Sequence, residues 1–143
     1  MYGKAGIAQY QQVNTQAATY ADPFELTGML FNGALDRIAQ ARGAIDSRNV
    51  ALKGERIGKA IAIIDGLRAS LDHQVGGELA ANLESLYDYV QRRLVHANLH
   101  DDTDALDEAA RLMREIKAGW DAIPPEARNV HEQAAVERDP ATR

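Results

Sequence analysis

Four stretches of the chain carry apolar residues at helical spacing, and short strings of turn and capping residues separate them. The clearest runs Leu106, Ala109, Met113, Ile116, Trp120, Ile123, in steps of three and four. Side chains three or four apart lie on one face of an α-helix, so this pattern buries a single stripe. Leu30, Ala34, Ile38, Ala41 and Ile45 form a second stripe, widened by Phe24, Phe31 and Leu35. Ile57, Ala60, Ile61, Ile64, Leu67 and Leu71 form another, and Leu79, Leu83, Leu86 and Val90 a fourth. No segment has the two-residue alternation of a half-buried strand. The spacing therefore predicts an all-α chain of four helices.

The separators carry their own chemistry. Asp22-Pro23 followed by Glu25 is an acid able to cap, a proline preset for the first turn and a capping-box glutamate. Asp46-Ser47-Arg48-Asn49 is a turn string, Gly76-Gly77 breaks the chain before the third helix, and Asp101-Asp102-Thr103-Asp104 places caps and negative charge at the start of the fourth. Pro124-Pro125 ends it. Helices of about 20 residues joined by so few residues predict an antiparallel up-down four-helix bundle. Residues 1–21 mix glycine, glutamine and threonine with Ile7, Tyr10, Val13 and Tyr20, which reads as an N-terminal arm or short helix. Residues 22–123 read as the bundle and 124–143 as a polar, mobile tail.

At 143 residues the chain suits one domain. Sixteen basic against 21 acidic residues leave a charge of −5, which disfavours a phosphate-neutralising grip on nucleic acid and on anionic membrane. The longest apolar run, Ala60 to Ile64, is too short for membrane insertion. The absence of cysteine removes thiolate chemistry and agrees with a reducing compartment, and the N-terminus has no secretory design; the expected location is cytoplasmic.

Catalytic constellations fare poorly. No Glu-x-x-His pair occurs, so the carboxylate-bridged metal chemistry of some bundles has no ligands. His96 and His100, four apart, read as helix-end cations stabilising the dipole rather than as metal ligands. Gly54-Glu55-Arg56-Ile57-Gly58-Lys59 is one residue short of a phosphate loop and lies within a helical pattern. Ser47, Ser70 and Ser85 stand in no nucleophile turn, and Ser70-Leu71-Asp72-His73 clusters polar groups only in sequence. The expectation is no enzyme, no cofactor and no metal.

What remains is surface for another chain. On helical wheels Met29, Leu52, Ile63, Val95 and Leu99 fall off the centres of their stripes. With Ile7, Tyr10 and Val13 of the arm they form the candidate partner-binding set. Seven glycines lie within predicted helices, each at a cost of up to about 1 kcal/mol against alanine. Gly28 and Gly58 are the candidate groove-formers.

The string Gly76-Gly77-Glu78-Leu79-Ala80-Ala81-Asn82-Leu83-Glu84-Ser85-Leu86-Tyr87-Asp88-Tyr89-Val90-Gln91-Arg92-Arg93-Leu94, with acids early and bases late, resembles the flagellar export chaperone family FliS. Asp22-Pro23-Phe24-Glu25-Leu26 with Met29-Leu30-Phe31-Asn32-Gly33-Ala34-Leu35 resembles that family's first helix. The resemblance spans about residues 10–123. It implies a bundle that binds the disordered C-terminal region of flagellin in the cytoplasm, blocks premature polymerisation and assists delivery to the export gate protein FlhA, with no reaction catalysed. It also implies that the N-terminal segment overlies part of the client site and moves when flagellin binds. Phe31 stands where the family usually has an aromatic hydroxyl. The alternative reading is a structural adaptor bundle, or one that dimerises through its surplus apolar groups.

Overall fold

A computed structural model describes residues 22–124, all of whose regular structure is helical. The helices are α1 (Pro23–Asp46), α2 (Val50–Ala69), α3 (His73–His100) and α4 (Thr103–Asp121). The expectations for the arm, with Ile7, Tyr10 and Val13, and for the tail beyond Pro124 fall outside the described residues.

Each helix starts on a side-chain cap that satisfies an otherwise orphaned amide. Asp22 Oδ1 accepts from Glu25 N at 2.8 Å, Asn49 Oδ1 from Leu52 N at 3.1 Å, and Asp102 Oδ1 from Ala105 N at 3.1 Å. The cap of α3 lies earlier than the paired glycine suggests. Asp72 Oδ1 accepts from Gln74 N and Val75 N, both at 3.0 Å, so a turn of helix forms over His73–Gly76 first. Gly77 then interrupts it at φ 52°, ψ −124°, a conformation that only glycine adopts cheaply. The break read at Gly76-Gly77 is real; the turn before it is set by Asp72.

α1 packs on α2 and α4, and α3 packs on the same two helices. The first turn of α1 lies beside the last turn of α4, where the rings of Phe24 and Trp120 stack. At the other end of that seam Arg42 pairs with Asp107. Phe31, Ile38, Ile64, Leu94, Leu106 and Met113 are sealed in the shared core. The α2–α3 seam carries two buried polar groups, each with partners. Lys53 Nζ donates to Asn98 O at 2.9 Å and Asp101 Oδ1 at 2.6 Å, which caps the C-terminus of α3 from the start of α2. Gln91 Nε2 donates to Asp65 Oδ1 at 2.7 Å and Ile61 O at 3.1 Å, while its Oε1 accepts from Arg68 Nη1 at 2.7 Å.

Two stripe assignments change. Ile63, expected on the flank of its helix, is 5% exposed and belongs to the core. α2 is wrapped by α1 on one side and α3 on the other, so its buried arc is wider than one stripe. In α3 the buried line is Ala80, Tyr87, Val90, Leu94 and Ala97. Leu79 and Leu86, expected in that line, are 48% and 38% exposed. The small Ala80 and the large Tyr87 turn inward, and the leucines beside them are displaced toward α4.

Candidate functional site

The displaced leucines open an apolar groove. Leu79, Leu83 and Leu86 of α3 form one wall, and Leu112, Ile116 and Gly119 of α4, with Ile123 beyond its end, form the other. Phe31, Tyr87 and Trp120 line it as well, and the space amounts to about 320 Å³. From Leu112 to Ile123 the wall rises about 16 Å, roughly three turns of helix. Glu115 is the one charged residue among the described lining residues. Its Oε2 accepts from Arg111 Nη1 at 3.0 Å, in a pair more than half exposed on both sides.

A polar clasp holds the same seam together further along α3. Glu108 accepts from the Tyr89 hydroxyl at 2.7 Å and from Arg93 Nε at 2.8 Å. The Tyr89 hydrogen bond and then Arg93 hold the Glu108 carboxyl below the usual carboxylate range, and the same bond raises the Tyr89 phenol. Burial alone pushes the Tyr87 phenol up.

The sequence candidates among the described residues do not gather into one surface. Val95 and Leu99 are 48% and 73% exposed, one turn apart on α3. Val95 stands nine residues beyond Leu86, which is half a turn out of phase, so this pair faces away from the groove. Leu52 is half-buried in the first turn of α2 and Met29 half-buried on α1, while Ile63 is enclosed. A Cβ built at Gly28 or Gly58 meets no atom of the described residues within 4 Å, so close packing among the described helices requires neither glycine.

Helical spacing assigns the groove residues Leu79, Leu83, Leu86 and Ile116 to a core, and Leu112 falls beside the α4 stripe. One signal was present. α3 carries two overlapping apolar lines, one through Leu79, Leu83 and Leu86 and one through Ala80, Tyr87 and Leu94, more than a single interior face can absorb. His96 Nε2 lies 3.0 Å from Asp102 Oδ2, so that imidazole is engaged with the cap of α4. The Ala105 amide first, and His96 with it, hold the Asp102 carboxyl below its usual range. Among the described residues no group of three His, Cys, Asp or Glu side chains is placed to hold a metal ion, and no helix is long and apolar enough to cross a membrane.

Residues 6–127 match the family described as Flagellar protein FliS. The chain belongs to the FliS family. It is 50% identical over 124 residues to a protein of Pseudomonas aeruginosa named Flagellar secretion chaperone FliSB, covering 86% of this chain and 98% of that one. It is 45% identical over 129 residues to the Flagellar secretion chaperone FliS of Salmonella typhimurium, with 89% and 96% covered. Against the FliS of Bacillus subtilis the identity is 38% over 123 residues, with 85% and 89% covered. The family match extends across the whole helical region, groove included.

Proposed function

We propose that this chain is a cytoplasmic, non-enzymatic export chaperone that binds the disordered C-terminal region of flagellin, prevents its premature polymerisation and assists its delivery to the export gate protein FlhA. The observation that carries this reading is the groove between α3 and α4, where a folded bundle leaves Leu79 and Leu86 half in water. Covering each would yield about 1 kcal/mol, against the cost of ordering a disordered client. The groove walls offer almost no polar partners, so a client backbone lying there must satisfy its own amides and carbonyls. A helix in the groove meets that requirement. The relatives named as flagellar secretion chaperones support the same reading.

The associated architecture is an antiparallel up-down bundle over residues 22–123. The pairing of Phe24 with Trp120 at one end of the α1–α4 seam and of Arg42 with Asp107 at the other supports opposite helix directions. Co-purification of the full chain with flagellin, with and without its C-terminal region, tests the function. Retention of the intact client alone is expected, and equal retention of both defeats the reading.

A second reading, self-association as a structural adaptor, draws on the exposed Val50, Val95 and Leu99. Light scattering separates the two. An adaptor stays dimeric without any client, whereas a chaperone gains mass only when a flagellin peptide is added.

A further inference from the structure

We infer that Gly119 and Glu115 together select the client segment that docks in the α3–α4 groove: Gly119 is a notch that receives one bulky apolar side chain, and Glu115 receives a basic group one helical turn away. The inference rests on the groove being the client site.

The groove wall of α4 is built by Leu112, Ile116, Gly119 and Ile123, in steps of four, three and four. Three of the four positions present large aliphatic groups, and the third in order presents none. Nothing in the fold of the described residues explains that gap. Gly119 has no positive φ, the C-cap of α4 is Ala122, and a Cβ at Gly119 meets no atom within 4 Å. Neither backbone conformation nor close packing demands glycine here, while glycine within a helix costs up to about 1 kcal/mol relative to alanine. What its absence of side chain provides is space, open to the groove and bounded by Ile116, Trp120 and Ile123.

Glu115 lies one turn before Gly119 and faces the same groove. Its bond to Arg111 joins two side chains that are 61% and 58% exposed, so exchanging Arg111 for a client cation costs little. The complement of this wall is therefore an amphipathic helix carrying a large apolar residue and a lysine or arginine three or four positions apart. A segment with only small or acidic residues at those positions leaves the notch empty or sets carboxylate against carboxylate.

The test uses the full chain and labelled peptides of the C-terminal region of the flagellin from the same organism, read by fluorescence anisotropy. One peptide series shortens each bulky apolar residue to alanine, and a second converts each basic residue to glutamine. Gly119→Leu is expected to weaken the unaltered peptide at least about tenfold, Gly119→Ala less, and neither to lower the melting temperature. One alanine peptide, weakened against the wild type, should recover affinity for Gly119→Leu. Glu115→Gln should weaken the unaltered peptide severalfold and leave one glutamine peptide unaffected. Wild-type affinity in Gly119→Leu, while Leu86→Arg abolishes binding, overturns the notch but leaves the groove as client site. So does a loss that no shortened peptide relieves. Wild-type affinity in Leu86→Arg overturns the groove itself as the client site.

Discussion

The ring of Phe24 stacks on the indole of Trp120 with centroids 4.6 Å apart and planes 16° from parallel, and Trp120 Nε1 donates to Phe24 O at 3.4 Å. One side chain thus fastens the beginning of α1 to the end of α4 and also lines the groove. Trp120→Ala should cost about 3–5 kcal/mol in urea denaturation. A double-mutant cycle with Phe24→Leu should return a coupling of about 1 kcal/mol. Additive losses show that the stacking contributes nothing beyond burial. Trp120 is the one tryptophan of the chain, so its emission reports directly on filling of the groove.

Two glycines should respond oppositely to alanine. Gly77 occupies φ 52°, ψ −124°, where a Cβ is strained, and Gly77→Ala should destabilise by about 1–3 kcal/mol. Gly58 is exposed on α2 with open space around it, and Gly58→Ala should stabilise by up to about 1 kcal/mol. Thermal melts decide both. The same Gly58→Ala protein, and Gly28→Ala, should bind flagellin peptide less well if these positions form part of a client surface; unchanged affinity removes them from it.

Lys53 is buried to 8% exposure, and its ammonium caps the end of α3. Lys53→Met keeps the apolar stem and loses the cap, for an expected cost of about 1–2 kcal/mol. Asp101→Asn, whose carboxylate is 63% exposed and whose φ of 51° asparagine tolerates, should cost only a few tenths of that. Chemical denaturation of both variants gives the comparison. Equal losses transfer the effect from the carbonyl cap to the ion pair.

The Tyr89–Glu108 pair predicts two pH limbs. Glu108 has a depressed folded pKa, so its contribution is complete above the unfolded carboxylate value near about 4.3 and fades as pH falls through the folded value. Tyr89 has a raised folded pKa, so its contribution is complete below about 10 and fades as pH rises through the folded value. Asp102, also depressed, adds to the acid limb. Melting temperature against pH should fall on both sides for the wild type. Glu108→Gln should flatten both limbs and Asp102→Asn the acid one alone; a Glu108→Gln profile that parallels the wild type refutes the assignment.

Helix boundaries were legible because their causes are local. Asp22, Asn49 and Asp102 each reach an amide three residues on, and that geometry needs no other part of the chain. Asp72 obeys the same rule, yet the glycines that follow drew the start of α3 away from it. Ile63 was misplaced because its flank is buried by a neighbouring helix, and a wheel drawn for one helix does not contain its neighbours. Leu79 and Leu86 were misplaced for the converse reason: their spacing promises burial, but no described helix covers them completely. Val95 and Leu99, which helical spacing turns outward, are exposed. Their role, like that of Met29 and Leu52, rests on the binding experiments.

The sequence by itself determined four helices, their capped starts, an all-α core and membership of a family, since these follow from short-range periodicity, local hydrogen bonds and a recognisable string. The tertiary structure alone decided which apolar residues became interior and which became surface. Burial depends on whether a second helix arrives at a given face, and Tyr87 turning inward beside Leu86 settled that on the α4 side of α3.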